Sequence, residues 1–387
     1  MSFDKYTLRW ENYVLIKNEH FDSFWNNHLV STKKLLFILG KGFDCRMNLA
    51  IEKIKAIKTD ANIECILIQF DEGKTSSSHK YKEDVDTNVT LLNSLGLKIQ
   101  TRNIDLLEDN GSRKKRRIGS RQAAEQIIKS YDDLSEYTDI VVDISSLPRG
   151  IYFSLIAKIL YLLDKNDEKK EKNFFVIASE NANIDLQIKE NGMDEDLDYL
   201  HGFGGGLDLD QDSPIIWLPI LGEDKHAHIE KAFTFITPDE LCPILPFPAK
   251  NPRRGDQMIM EYYKLLFESL SVEPQNIMYV SEQNPFDVYR KLCNTIIHYK
   301  KSTEALGNCR AALTTFSSKI LSIGVLLAAY DLFHCQNDTK KIGVGVVNVD
   351  SQGYDIEDIN SFRKMKNESE LFVIWLSGEP YSIDSND

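Results

Sequence analysis

The chain of 387 residues combines 42% hydrophobic with 27% charged residues and has a formal net charge of −13. This composition excludes wholesale disorder and a fibrous repeat, and the length predicts two domains, with three as the alternative. The acidic balance argues against a surface that coats nucleic acid, because phosphate-tracking proteins are usually basic. It leaves room for a local basic pocket that holds a small phosphorylated ligand.

The chain shows no pattern that is typical of membrane or metal proteins. The longest apolar runs, such as Ile151–Leu163 and Ile320–Tyr330, are shorter than the roughly 20 residues that span a bilayer. The first 30 residues lack the apolar core of a signal peptide. The six cysteines form no CxxC pair, and the eight histidines are scattered. We therefore expect a cytoplasmic protein that works without a metal or cofactor.

The first half alternates short apolar runs with helical patterns, which is typical of parallel βαβ units. Two of the runs are almost continuously apolar, as expected of strands that helices cover on both faces. The predicted strands are Lys34–Leu39, Glu64–Phe70, Lys98–Asn103, Asp139–Ile144 and Asn173–Ala178. The predicted helices are Cys45–Ile57, Val89–Leu95, Ser120–Ser130 and Gly150–Leu163.

From about Met193 the chain changes character. An acidic, glycine-rich stretch is followed by Pro238–Pro252, which holds five of the eleven prolines. Proline restricts its own φ and the residue before it, so this stretch is predicted to be a stiff hinge. We place the domain boundary there, with residues 1–247 as one Rossmann-like domain that carries the acidic glycine-rich insertion. Residues 248–387 form the second, smaller Rossmann-like domain.

After the hinge the alternation resumes. Helices are predicted from Gly255 or Asp256 to about Leu270, over Asp287–Tyr299 and over Ser318–Phe333. Strands are predicted over Asn276–Ser281, Arg310–Phe316 and Lys341–Val349, with Leu371–Leu376 as an antiparallel edge. The predicted fold class is α/β, with two Rossmann-like, doubly wound, mainly parallel sheets joined by a proline-rich hinge.

In such sheets, ligands bind outside the carboxyl ends of the strands, near the point where strand order reverses. After the first strand, Gly40 and Gly42 permit a tight turn that brings backbone N–H groups close to an anion. Only GxG is present, without the third glycine of a dinucleotide fingerprint or a Walker A spacing. Asp44 either caps the next helix or contacts a ligand. Arg46, in the predicted first turn, indicates an acidic ligand or partner, because the helix dipole disfavours a cation there.

The fourth strand has the most informative end. Asp143 closes the apolar run, and Ser145, Ser146, Pro148 and Arg149 lead into the next helix. Serine and proline are ordinary helix-start residues, but a carboxylate at a buried strand end and a cation in the first turn are not. Hydroxyls, helix N–H groups and a guanidinium together favour a phosphate cradle.

A similar turn follows a strand of the second half, where Ser317, Ser318 and Lys319 open an apolar helix. With Arg46 and Arg149, three predicted helix starts thus carry a cation beside small or hydroxylated residues. Together they predict a ligand with several negative charges, bound near the interface of the two halves.

Acidic side chains also stand near predicted strand ends, and two roles for them remain open. In a binding protein, carboxylates there would recognise a ribose or a base. In an enzyme, they would act as acid, base or nucleophile on a nucleotide or glycosidic bond. The candidates are Asp143, Glu180, Asp185 and Glu282. The basic run Arg113–Arg117 is interpreted as a solvated loop or as a contact for phosphate or an acidic partner.

Strand-end Asp143, followed by Ser-Ser-x-x-Arg, resembles the ligand-binding turn of CARF-type Rossmann domains, and Ser317–Lys319 resembles it a second time. The match covers about ten residues in each half and lacks the Gly-Gly that usually precedes the polar residue. The resemblance implies binding of cyclic oligoadenylates in a prokaryotic antiviral system. Such proteins usually carry a nuclease or helix–turn–helix effector, and neither pattern is found in this sequence.

The leading hypothesis is a sensor or partner subunit of a bacterial defence or stress system that binds a nucleotide-like phosphorylated ligand. A hydrolase acting on that ligand and a structural scaffold subunit are the alternatives. The expected partners are the small molecule and protein subunits, with a homodimer left open; neither a membrane nor a nucleic acid is expected as a partner.

Overall fold

The computed structural model describes residues 6–71, 77–108, 116–166, 172–194, 197–204, 207, 213–304, 309–335 and 342–381. The chain divides into two units, and each combines separate stretches of sequence. The first unit comprises residues 13–192 and 351–387, and the second comprises residues 1–12 and 193–350.

Strands and helices alternate along most of the chain. The strands are β1 Val14–Ile16, β2 Leu35–Gly40, β3 Ile63–Asp71, β4 Lys98–Asp105, β5 Leu107–Glu108, β6 Arg116–Arg117, β7 Asp139–Asp143, β8 Asn173–Glu180, β9 Ile188–Met193, β10 Asp198–Tyr199, β11 Ile215–Ile220, β12 Glu240–Leu241, β13 Ile244–Pro246, β14 Met278–Val280, β15 Arg310–Thr315, β16 Gly343–Asn348, β17 Ser351–Ile356 and β18 Glu370–Ser377. The α-helices are α1 Phe21–His28, α2 Leu49–Ile57, α3 Lys82–Ser94, α4 Gly119–Gln122, α5 Asp132–Ser135, α6 Arg149–Asp164, α7 Ala182–Gln187, α8 His226–Ile236, α9 Arg254–Glu261, α10 Pro285–Ser302, α11 Lys319–Tyr330 and α12 Ile359–Lys364. Wider, π-helical turns span Ala123–Ile127, Lys264–Ser269 and Asp331–Cys335.

The first unit is built on a sheet with the strand order β1-β18-β8-β7-β2-β3-β4. The strands from β8 to β4 are parallel, and β18 and β1 are added antiparallel. The chain moves outward from β2 to β4 on one side and then returns to build β7 and β8 on the other. Strand order therefore reverses between β2 and β7. A core that includes Trp25, Phe37 and Phe175 packs on one face of this sheet.

The second unit repeats this arrangement. Its sheet has the order β10-β16-β15-β11-β13-β14, with β12 also paired to β11. All of these strands are parallel except β10. Counted by chain order, the five main parallel strands of each sheet run 3-2-1-4-5, which is the Rossmann order. In the second sheet the order reverses between β11 and β15, and the core beside it includes Trp217, Tyr262 and Ala312.

The predicted α/β class with two mainly parallel, Rossmann-like sheets is confirmed. The five strands predicted in the first half lie within two residues of the observed ones. The helix predicted from Cys45 begins only at Leu49, because residues 45–48 form a turn. Arg46 therefore lies in a loop and not in a first helical turn.

The predicted domain boundary differs from the observed division. Within Pro238–Pro252, β12 and β13 pair with β11, so this stretch belongs to the second sheet and is not a hinge. The boundary near Pro248 falls between β13 and β14, two paired strands of one sheet. Local composition shows where prolines concentrate, but it does not show which strands pair. Strand pairing decides which segments belong to one sheet.

The last predicted strand is also placed differently. The run Leu371–Leu376 lies in β18, which is antiparallel as expected but belongs to the first sheet. It is not an edge, because β1 pairs with its outer side. The chain therefore returns to the first unit after the second is complete.

Candidate functional site

The loops after β2 and β7 meet where strand order reverses in the first sheet. Ser146 Oγ donates a hydrogen bond of 2.7 Å to the carbonyl of Gly40. A Cβ atom on Gly40 would lie 2.5 Å from Leu147 Cδ2, so the buried Leu147 side chain would have to move to admit it. A Cβ on Gly42 would meet nothing closer than 3.5 Å, so packing does not require glycine there.

Arg46, from the same loop, is buried in an ion-pair network. Its Nη2 lies 2.8 Å from Asp44 Oδ2 and 2.9 Å from Asp185 Oδ1, and its Nη1 donates to the carbonyl of Ser179. Burial by itself would lower the pKa of Arg46, but the two carboxylates outweigh it and hold the pKa well above its ordinary value. The acidic partners expected for Arg46 are therefore found within the protein. Asp44 pairs with this side chain and does not cap α2, whose N-cap residue is Asn48.

Asp143 is equally engaged by protein groups. Its Oδ1 accepts hydrogen bonds from the backbone N–H of Ser145, at 2.9 Å, and from the Ser145 hydroxyl, at 2.5 Å. The Ser145 hydroxyl lies 3.0 Å from Ser179 Oγ on the neighbouring strand β8. These side chains are at most 2% exposed. The arrangement joins the ends of β7 and β8 and presents no exposed carboxylate.

Two short helices cover this end of the sheet. Ile184 of α7 and Phe362 of α12 pack on Cys45 in a small apolar cluster, and Cys45 Sγ lies 3.4 Å from the carbonyl of Phe362. Burial, and then the charge of Asp44, raise the pKa of the Cys45 thiol to about 12. Two of the residues predicted to contact phosphate lie near this strand-order reversal and have half-buried side chains. They are Ser146 and Arg149.

The other two acidic candidates of the first unit, Asp185 and Glu180, make different contacts. Asp185, about half exposed, is the partner of Arg46. Glu180 is the half-buried last residue of β8, in register with Glu370 of β18. Asn181 caps α7 by accepting hydrogen bonds from the N–H groups of residues 183 and 184. The structure therefore brings Asp44, Arg46 and Asp185 into one network.

At the reversal of the second sheet, two backbones touch. A Cβ on Gly222, two residues after β11, would lie 2.0 Å from the carbonyl oxygen of Phe316, which follows β15. The hydroxyl of Tyr262 donates to the carbonyl of Gly222 and accepts a hydrogen bond of 2.8 Å from Lys225 N. Burial raises the pKa of Tyr262. This turn therefore packs directly against the turn that opens α11.

The α11 turn carries the second set of predicted ligand residues. Ser318 is the N-cap of α11, and its Oγ accepts a hydrogen bond from Leu321 N at 3.4 Å. Ser317 and Lys319 on either side are half-buried. Capping thus accounts for Ser318, as expected of a serine at a helix start.

Two buried polar atoms beside this turn lack a hydrogen-bond partner within the described part of the chain. They are Thr315 Oγ1 and Asn348 Nδ2, at the carboxyl ends of the neighbouring strands β15 and β16. Thr315 is 3% exposed and Asn348 is 7% exposed. Leaving a buried polar group without a partner costs about 1–3 kcal/mol, so this edge has unused capacity for hydrogen bonds.

Glu282 is bound to a cation. Arg254 makes two hydrogen bonds to Glu223, of 2.6 and 2.8 Å, and a third to Glu282. Glu282 also accepts a hydrogen bond of 2.6 Å from Lys250 N. Burial alone would lower the pKa of Arg254, but its two acidic partners raise it. These side chains link the ends of β11, β13 and β14.

The sequence patterns do not predict several residues of the site. Gly222 follows the apolar run of β11 much as Gly40 ends that of β2, and this parallel is visible in the sequence. No local sequence pattern marks Ser179 or Tyr262, because each contacts a loop that is distant in sequence. Most of the basic run, residues 113–115, lies outside the described residues, and residues 116–117 form β6, which pairs with β5.

Among the described residues, no group of three or more His, Cys, Asp or Glu side chains is arranged to hold a metal ion. None of the helices in the described ranges has the length and apolarity needed to cross a membrane.

Comparison with known proteins gives no family. No protein-family model and no curated protein matches the sequence. Solved structures that match include a protein described as a universal stress protein from Pseudomonas aeruginosa, with 9% identity, 88% of this chain and 100% of that chain covered, and a TM-score of 0.21. A tRNA thiolase from Methanococcus maripaludis has 10% identity, coverages of 39% and 52%, and a TM-score of 0.23. A UDP-GlcNAc 2-epimerase from Neisseria meningitidis has 11% identity, coverages of 87% and 99%, and a TM-score of 0.18. TM-scores this low give no information about function.

Proposed function

We propose that this protein binds a nucleotide-like phosphorylated ligand at the carboxyl edge of the second sheet and serves as a sensor or partner subunit. The observation that carries the proposal is the position of the α11 turn. It lies at the strand-order reversal, beside the buried Thr315 hydroxyl that lacks a partner among the described residues. Crevices at such reversals are the usual ligand sites of open α/β sheets.

The charges of the first helical turns support this site. An acidic side chain normally complements the positive end of a helix. The helices α2, α9 and α10 follow this rule, with Glu52, Asp256 and Asp287. The helices α6 and α11 carry no acid in the first turn and begin with Arg149 and Lys319 instead. Both follow the fourth parallel strand of their sheet, where an anionic ligand would complement the positive end of the helix.

Of the two strand-order reversals, the one in the second sheet is the more favourable position for a phosphorylated ligand. In the first sheet, Asp44, Arg46 and Asp143 are buried and bonded to protein groups below α7 and α12. In the second sheet, Lys319 is half-buried and hydrogen-bonding capacity remains at Thr315. The residues proposed to hold phosphate are Ser317, Lys319 and the N–H groups that open α11.

The ligand that we propose for this site is an oligoadenylate. The turn Ser317–Lys319 resembles that of CARF-type domains, which favours an oligoadenylate and a role in defence or stress. Asp143 and Glu282 are engaged by Ser145 and Arg254, which suits structural roles better than acid–base catalysis. A binding protein is therefore the function that the geometry supports best.

The test is native mass spectrometry of the purified protein, followed by calorimetric titration with the phosphorylated species that co-purifies or with a nucleotide panel. Lys319→Ala should weaken binding about tenfold or more, because it removes a charge-assisted contact. Lys264→Ala, on the surface of the same unit, is the matched control and should leave affinity unchanged. Equal affinities for the wild type and Lys319→Ala would refute the proposed site. The mass of the bound species, followed over time, separates a sensor from an enzyme.

A further inference from the structure

The helix between β13 and β14 of the second unit has one buried side and one exposed side. Backbone hydrogen bonds from Tyr262 N to the Met258 carbonyl and from Leu266 N to the Tyr262 carbonyl join α9 to the π-helical turn that follows it. The side that carries these three residues packs in the core of the second unit. The opposite side is exposed to solvent.

That exposed side carries a row of apolar side chains. Met260 is 72% exposed and Tyr263 is 54% exposed. Phe267, half-buried, contacts Tyr263 with the ring centroids 5.3 Å apart. Residues spaced three and four apart lie on one face of a helix, so these three side chains form a continuous row, which we call the α9 stripe. Contiguous exposed apolar surface usually marks a contact with another molecule.

The apolar surface continues beside the first turn of α9. A Cβ on Gly255 would lie 3.9 Å from the ring of Tyr279, which belongs to β14, the last strand in the described order of its sheet. Tyr279 and Phe247 are both exposed, and their ring centroids lie 6.2 Å apart. Four of the nine exposed large apolar side chains among the described residues therefore lie on or beside α9.

The charges around Met260 are self-complementary. Asp256 lies four residues before it and Lys264 four residues after it, on the same exposed face. Neither forms an ion pair within the described part of the chain. Further out, Arg253 and Glu268 repeat the pattern with the signs exchanged. In a second copy laid antiparallel across this helix, with the two-fold axis at Met260, each charge would face its opposite.

We propose that this protein forms a homodimer through the α9 stripe, with the two α9 helices antiparallel and the two-fold axis beside Met260. The stripes of both copies would be removed from water together, and two Asp256–Lys264 ion pairs would flank them. At a rise of about 1.5 Å per residue, each charge lies about 6 Å along the helix from Met260, within reach of its counterpart in two packed helices. A self-complementary pattern favours a second copy over a partner of different sequence, because a two-fold axis presents the same patch on both sides.

Sedimentation equilibrium of the full chain tests this proposal. We expect a monomer–dimer equilibrium with a micromolar dissociation constant. Lys264→Glu and Asp256→Lys each place like charges opposite one another, so each should weaken the dimer about tenfold or more. The double variant restores opposite charges and should return to within about threefold of the wild type. Lys301→Glu, the same charge reversal at an exposed position of α10, is the matched control and should leave the dissociation constant unchanged.

A second measurement locates the two-fold axis without changing a charge. In Met260→Cys the two introduced thiols would face each other, so a short bis-maleimide should join two chains. The wild type, whose five described cysteines are buried, and Lys301→Cys should stay unlinked.

Three results would each overturn the proposal. They are a monomer at every concentration up to about 100 µM, which would assign the stripe to a different partner, unchanged dissociation constants in both charge variants, and no link between Met260→Cys chains. Lys319→Ala should leave dimerisation unchanged, so the dimer and the nucleotide site can fail independently.

Discussion

Arg46 and Asp44 form a buried, two-point ion pair in the loop after β2. Nε of Arg46 lies 3.0 Å from Asp44 Oδ1, and Nη2 lies 2.8 Å from Oδ2, with both residues less than 9% exposed. Asp185 adds a second carboxylate at 2.9 Å. The cation at the first strand-order reversal is therefore neutralised inside the protein, at a position where its sequence context predicted a ligand contact.

This network should be needed for stability. Replacing Arg46 with Met leaves Asp44 buried without its partner, and we expect the free energy of unfolding to fall by about 3–5 kcal/mol. Urea unfolding measures the change. The double variant Arg46→Met with Asp44→Asn should recover part of the loss, because it removes the unpaired charge. Wild-type stability in Arg46→Met, combined with weakened nucleotide binding, would instead support a ligand role for Arg46.

The backbone contact at the second reversal makes Gly222 sensitive to substitution. Gly222→Ala places a Cβ 2.0 Å from the Phe316 carbonyl, and neither backbone can move without disturbing β11 or β15. We expect it to lower the free energy of unfolding by about 1–3 kcal/mol or more, as overpacking in a core does. Gly42→Ala is the matched control, with its nearest contact at 3.5 Å, and should change the melting temperature little. Equal effects of the two substitutions would contradict this account.

The free energy of unfolding at acidic pH should depend on the ionisation of Glu64. Its hydrogen bonds to Lys98 and then to Tyr137 lower its pKa from 4.5 to about 2. The depressed pKa stabilises the folded state above the unfolded value of 4.5, and this contribution is lost as pH falls towards 2. The free energies of unfolding of the wild type and Glu64→Gln, measured by urea titration from pH 7 to pH 2, should therefore converge at the acid end. A constant difference across that range would mean that the Glu64 carboxylate is not held in its charged form.

The reactivity of the Cys45 thiol should show whether α7 and α12 stay packed over it. A rise in pKa from 9.0 to about 12 lowers the thiolate fraction near pH 8 by about a thousandfold, so native Cys45 should react slowly with iodoacetamide. Phe362→Ala removes the apolar contact above the thiol and should accelerate labelling, which peptide mass spectrometry can follow. Phe235→Ala, at a partly exposed position of the second unit, is the control. Rapid labelling of the wild type would show that the cover is open in solution.

Local patterns in the sequence were sufficient for the α/β class and for eight of the ten main parallel strands, but they did not predict β11 and β13 of the second sheet. Continuous apolar runs such as Leu35–Leu39 identify strands that are buried on both faces, whatever their neighbours in the sheet. The same patterns placed Asp143, Ser145 and Lys319 at strand or helix ends, where the structure has them. Strand pairing was not accessible in this way, because β18 and β8 pair across about 190 residues of intervening chain.

The sequence by itself determined the α/β class, most of the parallel strands and the polar groups at their ends. The tertiary structure decided which of those groups meet. It placed Asp185 beside Arg46, Arg254 beside Glu282 and the carbonyl of Phe316 against Gly222, and it left Thr315 Oγ1 buried without a partner among the described residues. The physical reason is that an element forms from interactions between residues a few positions apart. Whether a charged side chain binds a ligand or a neighbour depends on burial and on partners that only the folded chain brings within hydrogen-bond distance.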